Sequence, residues 1–145
     1  MSEHDAVVRS HTVDLLGPAA LVLAHPGHAL RLYHWLRLVH PRVLVLTDGS
    51  GASARSRIAC ASSTLAETGG RQGSILGRFG DRQIYSEIIA GNVALFVQVA
   101  EALHRDSIHC VAGDAVGGSN PAHDLCRLII NASVPLWRHA ERAGP

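Results

Sequence analysis

Two histidines three residues apart are the strongest chemical signal in this chain. His25-Pro26-Gly27-His28 directly follows a short apolar segment, residues 19–24, of the kind that forms a buried strand. A further histidine, His123, comes shortly after a second such segment, residues 108–112. Three nitrogen ligands with a fourth position open to water are typical of catalytic zinc. We therefore predict a Zn²⁺ site formed by His25, His28 and His123 at one rim of the fold.

The segments around these histidines alternate between strand and helix patterns. Continuous apolar runs at residues 21–24 and 43–46 are typical of strands buried on both faces of a parallel sheet, and a helical pattern at 30–39 lies between them. The predicted later elements are a helix at 58–67, a short strand at 74–76, a long helix from 81 to 103, a strand at 108–112 and a helix at 124–134 that Pro135 ends. This order predicts one domain over residues 1–145, an α/β three-layer Rossmann-like sandwich with a mostly parallel sheet.

Two carboxylates follow predicted strands and are the candidates for acid–base chemistry. Ligands of open α/β sheets bind beyond the carboxyl ends of the strands, where the strand order reverses. Asp48 and Asp114 lie at such ends, and both would flank the first histidine pair if the first strand lies between the second and the last. Each can equally serve its own turn, since Asp before glycine-rich residues commonly organises a turn. Asp124, next to His123, can cap a helix or orient an imidazole.

Composition limits the partners of the protein. Thirteen basic and twelve acidic side chains give a net charge of +1, which provides no electrostatic footprint for nucleic acid. No apolar run approaches the roughly 18 to 20 residues that span a bilayer, so no membrane partner is expected. The three cysteines are an odd number without disulfide or Cys-x-x-Cys spacing, which suits a reducing compartment. We predict a cytoplasmic protein that binds a small-molecule substrate.

The two histidine motifs together resemble those of the PIG-L/LmbE-like family of N-acetylglucosamine de-N-acetylases. Ala24-His25-Pro26-Gly27-His28-Ala29 is similar to that family's Ala-His-Pro-Asp-Asp-Glu motif, and Asn120-Pro121-Ala122-His123-Asp124 is similar to its closing histidine motif. The resemblance covers about residues 19 to 134. It implies a Rossmann-like fold, a zinc-dependent amidase activity on N-acyl amino sugars or related metabolites, and His25, His28 and His123 as the zinc ligands.

Three departures from that family pattern affect the expected mechanism. Gly27 stands where the resemblance places the general base, so that role would pass to Asp48 or Asp114. Ala29 replaces the usual Glu. The chain also stops 22 residues after His123 (145 − 123), earlier than members of that family do. In that family the later segment helps to form the substrate pocket. The shorter chain is compatible with a homodimer in which a second chain completes the pocket.

Other interpretations of the same residues stay open at this stage. His-Pro-Gly-His can be an ordinary strand-to-helix turn, with both imidazoles structural. A module that keeps the metal ligands without the base would bind a small ligand or serve another step of a biosynthetic pathway. Three histidines also suit nickel, cobalt or iron(II). Arg55, Arg57, Arg78 and Arg82 are candidate contacts to a polar substrate or a solvated face.

Overall fold

Four parallel strands form the centre of the protein. A computed structural model describes residues 18–143. The strands are β1 (Ala19–Leu23), β2 (Arg42–Thr47), β3 (Arg71–Phe79) and β4 (Cys110–Gly113), in the spatial order β3-β2-β1-β4. Every neighbouring pair is parallel. The predicted α/β sandwich is therefore confirmed, and β1 does lie between β2 and the strand that precedes Asp114.

Helices cover both faces of this sheet. They are α1 (Tyr33–Val39), α2 (Ile58–Thr68), α3 (Asp81–Ile89), α4 (Ala94–Arg105) and α5 (Pro121–Ala143), with 3-10 helices at Pro26–Leu32 and Gly51–Ser53. Alternate residues of β1 face opposite layers: Ala20 and Val22 pack with α4 and α5, and Leu21 and Leu23 pack with α1 and α2. These two apolar layers explain why β1 is an unbroken apolar run, since each of its faces is covered.

The predicted long helix from 81 to 103 is wrong in one respect, because it is two helices bent by 109° between α3 and α4. Gly91 adopts a left-handed φ of +72°, which ends α3. The Asn92 side chain then accepts a hydrogen bond from Ala94 N–H at 3.0 Å and starts the next helix. The apolar period continues through this break, which is why the pattern alone suggested one helix.

The end of the last helix was also predicted wrongly, because α5 continues through Pro135 to Ala143. Proline removes the hydrogen bond to the carbonyl four residues earlier. Pro135 and Asn131 both lie on the exposed side of α5, where water can bond that carbonyl. Trp137, two residues further on and on the buried side of the helix, is only 4% exposed and holds the end of the helix against the core.

Strand β3 also differs from the prediction, because it spans nine residues where the sequence predicts a short strand at 74–76. Gly73 and Gly77 break the apolar alternation, and the pairing with β2 shifts register along this stretch. The longer strand carries the chain to Phe79, two residues before Asp81. Its length therefore decides where the Asp81 side chain lies.

Replacing Trp137 with phenylalanine is expected to leave the free energy of unfolding within about 1 kcal/mol of wild type. Within residues 18–143 the buried indole Nε1 has no hydrogen-bond partner, so the substitution breaks no hydrogen bond and removes a desolvated N–H. Urea denaturation followed by circular dichroism measures the change. A loss above about 2 kcal/mol would contradict this expectation.

Across residues 18–143, no single helix is both long and apolar enough to cross a membrane. Helices α3 and α4 reach that length and composition only when taken together as a bent pair.

Candidate functional site

The three predicted histidines converge at the carboxyl end of the sheet. His25 and His28 follow β1, and His123 lies in the first turn of α5, which begins after β4. The ring centroids are 5.4 Å apart for His25 and His28, 5.5 Å for His25 and His123, and 4.5 Å for His28 and His123. The cluster sits beside the boundary between β1 and β4, where the strand order reverses.

The ring separations are close to those of a tetrahedral zinc site. With Zn–N bonds of about 2.0 Å, three imidazoles around one zinc ion would have centroids about 5 Å apart. Separation alone does not bring three nitrogen atoms to one point. No set of three or more His, Cys, Asp or Glu side chains in the described part of the chain is arranged to hold a metal ion as it stands. Metal binding also requires each ring to leave a nitrogen without a proton, which its hydrogen bonds decide.

Asp114 orients His28. The Nδ1 atom of His28 lies 3.0 Å from Oδ1 of Asp114, and the other carboxylate oxygen accepts the Ala24 N–H at 2.7 Å. Burial alone would raise the pKa of Asp114, but the hydrogen bonds from His28 and Ala24 hold it below its usual value. An ionised carboxylate only accepts hydrogen bonds, so His28 donates through Nδ1 and a neutral ring keeps its lone pair on Nε2.

Nδ1 of His25 is likewise the protonated nitrogen, but its partners differ from those of His28. Its Nδ1 lies 3.0 Å from Oγ1 of Thr47 and 3.3 Å from Oδ1 of Asp81. The Thr47 hydroxyl donates its proton to the Ala24 carbonyl at 2.8 Å, so it accepts from His25 Nδ1–H, again leaving Nε2 without a proton. Burial, with the neighbouring imidazoles, lowers the pKa of His25 despite the opposing charge of Asp81, which favours the neutral form that binds metal.

Asp81 is a site residue that the sequence analysis missed. The sequence predicts it only as the first residue of the long helix, whereas its carboxylate reaches across to Gly51 N–H at 2.6 Å and to His25. Its Oδ1 is buried, and no partner among residues 18–143 has full hydrogen-bond geometry to it. Burial would raise the pKa of Asp81, yet the nearby Thr47 side chain, the Gly51 N–H and the charge of His25 lower it. A sequence prediction in which β3 extended to Phe79 would have identified Asp81 as another carboxylate that follows a strand.

Asp48 lies in a turn beside the cluster. Its Oδ1 accepts the Ser50 N–H at 2.9 Å, and its backbone carbonyl accepts Arg57 N–H at 2.8 Å. Gly49 follows with a φ of +67°, and a Cβ there would lie 2.8 Å from Cδ of Pro26. This turn thus packs directly against the His-Pro-Gly-His segment. The contacts of Asp48 are those of a residue that organises its own turn.

Two further side chains hold the loop that follows β4. Arg127 donates from Nε to the Asp114 carbonyl at 2.7 Å and from Nη2 to the Gly113 carbonyl at 2.9 Å. Asp124 accepts hydrogen bonds from the N–H groups of Gly117 and Gly118 through Oδ1, and within residues 18–143 it makes no hydrogen bond to an imidazole. Both residues fix the backbone from which Asp114 reaches His28.

The four arginines named from the sequence do not converge on the cluster. Arg57 donates to the Gly49 carbonyl at 2.7 Å, and Arg78 donates to the Gln98 side chain on α4 at 2.8 Å. Arg55 and Arg82 are exposed.

No known protein family, curated protein or solved structure matches this chain. The similarity of its motifs to the PIG-L/LmbE-like family stays a prediction.

Proposed function

We propose that the protein is a zinc-dependent amidase that deacylates a small N-acyl compound, such as an N-acyl amino sugar. The observation that carries this proposal is the hydrogen bond from His28 Nδ1 to Asp114 at the carboxyl end of the sheet, beside His25, whose Nδ1 bonds Thr47 and lies 3.3 Å from Asp81. Metal-binding histidines commonly donate their other N–H to a carboxylate in this way. The resemblance of the motifs to the PIG-L/LmbE-like family supports the same assignment.

His25, His28 and His123 would hold the metal through Nε2. Zinc bound there would polarise the amide carbonyl and lower the pKa of water at the open position. Asp114 would keep the His28 ring in the required tautomer and orientation, and the Asp81 carboxylate would lie beside His25. Thr47 would restrain His25 by tying its Nδ1 to the end of β1. The three free thiols of Cys60, Cys110 and Cys126 are consistent with the cytoplasmic location proposed from the sequence.

The proton transfers of amide hydrolysis need a group that can accept and return a proton, and a carboxylate can serve this role. Asp114 is committed to His28 and Ala24, and Asp48 bonds its own turn through Oδ1. Asp48 is the better candidate because only its Oδ1 is engaged, by a backbone N–H. Its Oδ2 is therefore available to water. Its second oxygen has no side-chain partner among residues 18–143.

Comparing Asp48→Asn with Asp114→Asn tests this division of roles. The amide oxygen introduced by Asp48→Asn can still accept the Ser50 N–H, so we expect this variant to retain zinc and lose at least about a hundredfold in turnover. Asp114→Asn removes the charged partner of His28 and should weaken zinc binding by about 10- to 100-fold. Zinc content by mass spectrometry and release of acetate from N-acetylglucosamine derivatives are the two measurements. An apo protein with no measurable zinc affinity would reject the proposal.

The second candidate is a metal-binding module without hydrolytic activity. It is favoured by the number of carboxylates near the cluster that are already engaged, together with the glycine at position 27. A Cβ at Gly27 would have no heavy atom within 4 Å, so the position has room for a side chain. If Gly27→Asp hydrolyses N-acetyl substrates and the zinc-loaded wild type does not, the natural protein is the binding module. Turnover by wild type that Asp48→Asn abolishes identifies the enzyme.

A further inference from the structure

The two edges of the sheet differ in their protection against another strand. β3, at one edge, carries Arg71 and Arg78 and has shifts in its register with β2. β4, at the other edge, reads Cys-Val-Ala-Gly, contains no charged residue or proline, and keeps an uninterrupted register with β1. Charges, prolines and bulges are the usual means of blocking an edge strand. Within the described residues, β4 has none of them.

A groove runs beside β4 and along α5. Its first part, of about 320 Å³, lies between Val111 and the α5 residues from Arg127 to Arg138. A second part, of about 310 Å³, continues past Val134 and Pro135 to Arg142. The fifteen-residue rise from Arg127 to Arg142 corresponds to about 22 Å of helix, which is the length of roughly six or seven extended residues. The groove is therefore long and open, unlike a closed small-molecule pocket.

The charge of this groove has one sign. Its ionisable lining residues are His109, Arg127, Arg138, His139 and Arg142, and no carboxylate of the described chain lines either part. Arg127 is engaged by the carbonyls after β4, whereas Arg138 and Arg142 are exposed and make no ion pair within residues 18–143. The floor is apolar and includes Val111 and the buried Trp137.

We propose that this groove binds an extended acidic segment of another protein, which adds to the open edge of β4. Main-chain groups of the segment would pair with β4. Alternate side chains of the segment would face α5, with apolar ones over Val111 and Trp137 and acidic ones further along, opposite Arg138 and Arg142. A second copy of this chain is a poorer occupant, because pairing two β4 edges would bring the same basic groove from each copy together.

A fluorescein-labelled peptide of sequence Val-Thr-Leu-Thr-Glu-Thr-Glu, whose apolar and acidic side chains share one face of a strand, is added to the full chain and tests the proposal by fluorescence anisotropy. We expect saturable binding that weakens as salt is raised, and no binding of the matched peptide with Lys in place of Glu. Methylating alternate backbone nitrogens of the acidic peptide should abolish binding, because it removes the donors that pair with β4. Equal binding of the Lys peptide or of the methylated peptide would overturn the proposal.

A matched pair of variants locates the binding surface. Arg138→Glu should weaken peptide binding by about tenfold or more, whereas Arg37→Glu, an exposed arginine on α1, should leave it unchanged. In a Trp35→Phe background Trp137 is the sole tryptophan, so its emission should shift when the peptide binds. Equal affinities of the two charge-reversal variants would overturn the assignment. Self-association that Arg138→Glu abolishes, or a response to acetate but not to the peptide, would overturn it as well.

Discussion

His123→Ala is expected to abolish stoichiometric zinc binding, lowering the affinity by on the order of a hundredfold or more. His123 contributes from α5, whereas His25 and His28 come from the single turn after β1, so the third ring closes the ligand set across the β1–β4 boundary. Two imidazoles alone leave the metal mostly to solvent. Zinc per chain, measured by mass spectrometry after dialysis without chelator, gives the result directly.

His104→Ala is the matched control for this loss. His104 is exposed near the end of α4, so its removal takes away an imidazole without touching the cluster. Wild type and His104→Ala should each hold close to one zinc per chain. If His123→Ala retains as much zinc as wild type, the three rings are structural and the proposed metal centre is wrong.

Gly113→Ala is expected to lower the free energy of unfolding by about 3 kcal/mol or more. A Cβ at this position would collide with the backbone carbonyl of Val22 on β1 and with Cδ1 of Ile130 on α5. The side chain of Ile130 can rotate, but the Val22 carbonyl belongs to the paired strand and moves only if β1 and β4 separate. Chemical denaturation of the purified variant measures the loss.

Gly117→Ala, in the loop four residues further on, should change stability by only about 0.5 kcal/mol. A Cβ there would meet its nearest neighbour, Oγ of Ser119, at an ordinary 3.7 Å.

Gly113→Ala should also weaken zinc binding, because the displaced strand end carries Asp114 away from His28. Wild-type stability of Gly113→Ala would mean that β1 and β4 are not packed as closely as described.

The elements of the sheet were largely predictable because their signals are local. The apolar runs of β1 and β2 need only their own composition to indicate strands buried on both faces. β3 and the α3–α4 pair were not predictable in the same way. Gly73 and Gly77 hide the strand pattern of β3, and the apolar face that α3 and α4 share conceals the turn at Gly91.

The sequence by itself determined that three histidines and two carboxylates follow strands, and that parallel strands bring such residues to one edge. Tertiary structure alone decided which carboxylate serves which ring. Asp114 meets His28 because β4 pairs with β1, and Asp81 reaches His25 because β3 extends to Phe79. Asp48 instead bonds its own turn, whose Gly49 packs on Pro26. The physical reason is that hydrophobic pattern specifies an element locally, whereas a side chain's partner depends on strand order and loop path, which arise only when distant segments pack.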